Sequence, residues 1–190
     1  MSISTFRLIL LTLVEIVVLV FILAIGWQNN HIDNYIKYDC DVRHSKTSIN
    51  IDIRNDNQFL YTVIGQKIHF KETPLTMTNP QNTKIVYSSD NYNLFSNDSH
   101  SIVIDDSEVI EMVGLANLFG NDYNLYDKEG NKIAYINASG NLYTQDKKLI
   151  ATLKSSFFFN NFTVKISEEC EFDHAIILMI FSIYYTDQKV

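Results

Sequence analysis

Cys170 and His174 stand four residues apart in EECEFDHAII, close to the C-terminus. At the head of a helix that spacing lets a thiol meet an imidazole as nucleophile and base. Such a pair also needs a group that orients the imidazole and donors that hold an oxyanion, and no neighbouring residue type offers either. The other histidines are His31, His44, His69 and His100. None belongs to an H-E-x-x-H motif, and the chain has no G-x-S-x-G, no glycine-rich phosphate loop and no paired-cysteine set. His69 alternates within a strand-like stretch, and His174 follows a helix-capping aspartate, so both read as structural. The expectation is a protein that is not an enzyme and needs no cofactor or metal.

Cys40 and Cys170 are too far apart in sequence for a zinc or redox motif. In an oxidising compartment they could pair and close a long loop; otherwise they are two small buried thiols. The acidic segments Asp90–Asp98 (DNYNLFSND) and Ile104–Glu111 (IDDSEVIE) lack the glycine and spacing of an EF-hand and read as solvated loops. Asn-x-Ser/Thr triplets begin at Asn97, Asn137 and Asn161, as expected by chance in a chain with 19 asparagines. Phe157–Phe159 and Phe162 offer either a lipid-facing patch or hairpin packing. With a net charge of −7 and no basic cluster along the sequence, nucleic acid is excluded as a partner.

Leu8–Trp27 reads LILLTLVEIVVLVFILAIGW. Twenty helical residues cover about 30 Å, the thickness of a bilayer core, and Trp27 suits the headgroup zone. The run is too long for a typical signal peptide, and its leader holds a single base, Arg7. It is read as an uncleaved membrane anchor. Glu15 lies inside it, where a carboxylate costs about 2–3 kcal/mol near mid-membrane. Glu15 is therefore a candidate contact with another helix. Arg7 on one side and only Lys37 soon after on the other place the N-terminus in the cytoplasm and the remaining domain outside, on a single-pass protein of the cell membrane. TLVEIVVLVFILAI is similar to the start of a type IV pilin, but Leu10 and Leu11 stand where the peptidase glycine would be.

The chain then divides into a tail (1–7), the anchor (8–27), a juncture (28–35) and one domain (36–190). The domain is read as mainly β. SINIDIR and KIHFKE alternate apolar and polar residues, while FLYTVIG, TKIVYSS and SIVIDDSEVIEMV are β-branched and aromatic. NDN, TNPQN and SNDSH separate them as turns. EMVGLANLFG is ambiguous between strand and helix. Asn124–Ala134 (NLYDKEGNKIA) and Asn141–Ala151 (NLYTQDKKLIA) repeat Asn, Leu, Tyr, Ile and Ala at matching offsets, and Asn93–Val103 keeps the Asn-Leu-aromatic opening. These are consecutive hairpins, and DKEGN carries the glycine that a bulged type I turn needs. So many strands must bury an apolar face, by packing two sheets, by closing a barrel, or around something apolar.

That apolar element is FDHAIILMIFSIYYTDQ. Ala175–Tyr185 holds one small polar residue, Ser182. As a helix it is little more than half a bilayer in length, and a helix apolar all round belongs inside a protein. Asp173 is a fitting N-cap. The expected architecture is a closed antiparallel β-barrel of hairpins around a central helix containing Asp173, His174, Ile176, Ile177, Met179, Ile180, Phe181 and Ile183. YNLYDKEGNKIAYI, LYTQDKKLIATLKSSFF and the terminal DHAIILMIFSIYY together resemble the tubby C-terminal-like superfamily, above all its LURP-one-related branch. The resemblance implies a barrel threaded by its last helix. The function expected is a binding or scaffold role for a partner protein, a second copy or lipid; the superfamily's similarity to phospholipid scramblases gives scramblase-like lipid handling as the alternative, and the pilin-like N-terminal run gives a secretion component as a further one. The superfamily's phosphoinositide binding relies on basic side chains that this acidic sequence does not cluster.

Overall fold

The structure, a computed structural model, describes residues 16–17, 32–66, 74–81, 83–91, 99–104, 108–117, 120–155 and 160–188. Ile16 and Val17 are helical and exposed. The rest of the segment read as an anchor, Glu15 included, lies outside the described residues, as do Lys67–Glu72 and Phe157–Phe159. Among the described residues, no helix is long and apolar enough to cross a membrane.

Ile32–Val190 form one compact unit of twelve described strands and a C-terminal helix. The strands are β1 (Tyr35–His44), β2 (Ser48–Asn55), β3 (Gln58–Gln66), β4 (Leu75–Thr78), β5 (Lys84–Asn91) and β6 (Ser99–Ile104). They continue with β7 (Glu108–Asn117), β8 (Gly120–Tyr126), β9 (Lys132–Ile136), β10 (Asn141–Thr144), β11 (Leu149–Ser155) and β12 (Asn161–Ser167). The helix spans His174–Asp187. Each strand pairs antiparallel with its neighbour in sequence, and β1 pairs with both β2 and β12, from Tyr35↔Ser167 to Asp41↔Asn161. The ladder thus returns to its starting strand as a closed barrel.

Alternation in the sequence becomes inside and outside. Ile49, Ile51 and Ile53 of β2 point into the core, as do Tyr38, Cys40 and Val42 of β1. In the Asn-Leu-Tyr repeat, Leu125 and Leu142 are the inward residues, Tyr126 and Tyr143 are partly exposed, and Asn141, unlike Asn124, is buried. EMVGLANLFG resolves as strand through Asn117, because cross-strand pairing from Met112↔Leu125 to Asn117↔Gly120 outweighs its helix-forming composition.

Three successive hairpins share one turn geometry. Asp127, Asn137 and Thr144 each exchange backbone bonds across five residues, and the fourth position of each turn is left-handed: Gly130 (φ 82°), Gly140 (φ 74°) and Lys147 (φ 64°). The β2–β3 connection is a two-residue turn with Asp56 and Asn57 both at positive φ, as short hairpins require.

The helix begins at the cap the sequence indicates: the Asp173 carboxylate accepts from the Ala175 backbone N–H at 2.7 Å. Ala175 through Tyr185 are buried on every side, Met179 and Phe181 completely. Strand direction fixes its path. It comes in at the mouth where β12 ends and β1 begins, and it reaches the opposite mouth beside the β9–β10 turn, where the Tyr184 hydroxyl donates to the Ala138 carbonyl at 2.9 Å. An apolar void of about 10 Å³ between Leu125, Ala134, Leu142, Ile177 and Ile180 leaves room for about one water. The helix fills the interior.

Candidate functional site

Polar contacts concentrate at the two ends of the helix. At the first mouth His174 Nδ1 lies 2.6 Å from the Tyr38 hydroxyl, with the rings edge to face. Burial holds the imidazole below its usual pKa, against the pull of Asp173, and burial also raises the Tyr38 phenol. The pair is thereby kept neutral near pH 7. At the second mouth Asp187, in the last helical turn, accepts from the Tyr123 hydroxyl at 2.7 Å and lies 3.1 Å from His100 Nε2. His100 comes from β6 and Tyr123 from β8, so one carboxylate ties the helix to two separate strands. Ser182 satisfies itself by donating to the Leu178 carbonyl at 2.7 Å. Phe162 of β12 stacks on Tyr185 with centroids 4.5 Å apart.

The cysteines are both free thiols. Cys40 is level with Phe162 in the β1–β12 register, whereas Cys170 follows the end of β12 at Ser167. Five residues of strand separate those levels by about 16 Å, and a disulfide needs α-carbons within about 7 Å. The pairing alternative fails on distance. Burial raises both thiol pKa values, that of Cys40 furthest, so neither is poised as a nucleophile. His174, turned to Tyr38, is not positioned by any described group as a base for Cys170.

Of the remaining sequence candidates, Ile176, Ile177, Met179, Ile180, Phe181 and Ile183 are all core residues of the helix. His44 is at the exposed end of β1. His31, His69 and Asn97 lie outside the described residues, and so does most of Asp90–Asp98. Asn137 uses its side-chain oxygen to accept from Ser139 and Asn141 within its turn, and Asn161 is exposed at the start of β12. Among the described residues, no three histidine, cysteine or acidic side chains are grouped to hold a metal. An open recess of about 280 Å³ at the second mouth is lined by Ser139, Gly140, Ser155, Tyr184, Tyr185 and Gln188.

Sequence reasoning missed two arrangements. The His100–Asp187–Tyr123 cluster had one visible signal: an acid in the last turn of an apolar helix opposes the helix dipole and needs a partner. The second is on the outer wall. Lys37 of β1 and Lys165 of β12 are direct register partners, and Lys165 Nζ sits 3.8 Å above the Tyr35 ring. The Lys165 ammonium, aided by Lys37 and Lys154, holds the Tyr35 phenol below its usual pKa. Lys37 on β1 is remote in sequence from Lys154 and Lys165 on the last hairpin, so no local cluster announces the three.

The site and fold together define a helix-plugged antiparallel β-barrel. The chain matches no family model, no curated protein and no solved structure.

Proposed function

We propose that this chain is a membrane-anchored, non-enzymatic member of the tubby C-terminal-like superfamily, of its LURP-one-related branch, that works as a binding or scaffold module. The carrying observation is the filled interior: the helix occupies the space where a barrel of this kind would hold a ligand. Binding then falls to the outer wall and the mouths. The ring of hairpins around a C-terminal helix capped by Asp173 supports the kinship. The twenty-residue apolar run Leu8–Trp27 supports the anchor, with the barrel outside the cytoplasm. Glu15 within that run is the contact for a partner helix or a second copy.

The test uses the full chain extracted from membranes in mild detergent and sized by light scattering. Wild type is expected to carry a partner or a second copy that Glu15→Leu releases. An unchanged assembly in Glu15→Leu removes the contact, and a chain that washes off membranes at alkaline pH removes the anchor.

A further inference from the structure

The outer wall of β9–β12 presents lysines on strands that carry no acid. KIAYI, NLYT, LIATLKS and NFTVKIS contain no aspartate or glutamate, in a protein of net charge −7. They carry Lys132, Lys154 and Lys165, and Lys37 of β1 extends the row, level with Lys165. Tyrosines lie between the lysines. Lys132 Nζ is 5.1 Å from the Tyr135 ring centroid, and Tyr135 stacks on Tyr143 at 5.1 Å. Tyr35, 37% exposed, lies beneath Lys165. Placing two ammonium groups directly opposite each other on adjacent strands is destabilising. Asp39, 2.9 Å from Lys37, relieves one of them, and the Tyr35 face partly relieves the other. An arrangement that works against stability on an exposed wall fits a surface whose counter-charge arrives from elsewhere.

We propose that this lysine–tyrosine wall docks an acidic segment of a partner protein, its carboxylates meeting Lys37, Lys154 and Lys165 and its backbone lying along Tyr35 and Tyr143. The inference rests on the binding-module reading and names the chemistry of the partner. A discrete segment fits better than an anionic bilayer, for a reason visible at the edges of the wall. Asp39 and Asp41, both half-exposed, border it on β1. The adjoining mouth carries Asp127, Glu129, Glu168, Glu169 and Glu171. A flat anionic surface would meet those carboxylates as well as the lysines. A peptide addresses the lysines one by one and leaves the acids in water.

The experiment places the full chain in neutral-lipid nanodiscs and titrates a fluorescent synthetic oligoglutamate peptide, reading anisotropy at low and at physiological salt. Binding is expected to fall as salt rises and to weaken about tenfold or more in Lys154→Glu/Lys165→Glu. The control Lys46→Glu/Lys128→Glu, off the wall, is expected to bind like wild type. Should the reversal variant melt early, Lys154→Gln/Lys165→Gln reports the same loss with less perturbation. Absence of peptide binding, or an equal loss in the control, overturns the proposal. So does protection of these lysines from acetylation by phosphatidylserine nanodiscs but not by peptide, which assigns the wall to lipid. A failure here alongside a partner released by Glu15→Leu leaves the binding-module reading standing and removes only the wall.

Discussion

Asp187 sits where an isolated helix tolerates an acid least, in the final turn, facing the negative end of the macrodipole. Tyr123 and His100 compensate it from two strands, and the side chain is only 11% exposed. Removing it takes one hydrogen-bond partner from a buried hydroxyl and one from a buried imidazole. Asp187→Ala is therefore expected to cost about 1–3 kcal/mol in denaturant unfolding, and a wild-type midpoint would mean the cluster does not hold the helix. His174, at the other end, makes stability depend on pH. Its folded-state pKa is held below the usual value by burial, with Tyr38 and Asp173 beside it. Below about pH 6.5 the unfolded chain takes up a proton that the folded chain resists. The stability present above that pH is lost as pH falls towards the folded pKa. His174→Gln is expected to blunt the drop in melting temperature between pH 7 and pH 5 relative to wild type. Parallel curves for the two proteins would remove this role.

The three consecutive hairpins hold one backbone shape with three different residues at the left-handed position. Glycine adopts it freely at Gly130 and Gly140, whereas Lys147 does so at a cost of about 1 kcal/mol. Lys147→Gly is expected to raise stability by up to about 1 kcal/mol, and Gly130→Ala to lower it by a similar amount. Gly140→Ala should cost more, because its Cβ would meet the Leu153 carbonyl oxygen at 3.1 Å. Equal melting of all three variants would show that these turns do not set the register. At this scale the sequence was informative where chemistry is local. Asp173 announced the helix start, the Asn-Leu-Tyr repeat announced paired hairpins, and NDN announced a tight turn. EMVGLANLFG was not readable, because its strand state comes from the β8 partner rather than from its own residues.

For the molecule as a whole, the helix is the core. Phe181 is fully buried among the strands, and Phe181→Ala is expected to cost about 3–5 kcal/mol, measured by thermal or chemical unfolding. A run that is apolar all round and too short to span lipid could be recognised from sequence as an interior helix, because burial on every side removes amphipathic periodicity. Two contacts between distant parts of the chain could not. His100 and Asp187 are joined across 87 residues, and Lys37 meets Lys165 only because β1 pairs with β12. Long-range register leaves no trace in a local window.

The most direct test is an aromatic nuclear Overhauser spectrum of the full chain in deuterated-tail detergent and in its protonated counterpart. Cross-peaks are expected between the Phe162 and Tyr185 rings and between the Tyr123 and Tyr184 rings, with no transfer from detergent chains to Met179 or Phe181. Detergent-chain cross-peaks at Met179 and Phe181, with the ring–ring peaks missing, would contradict the buried helix.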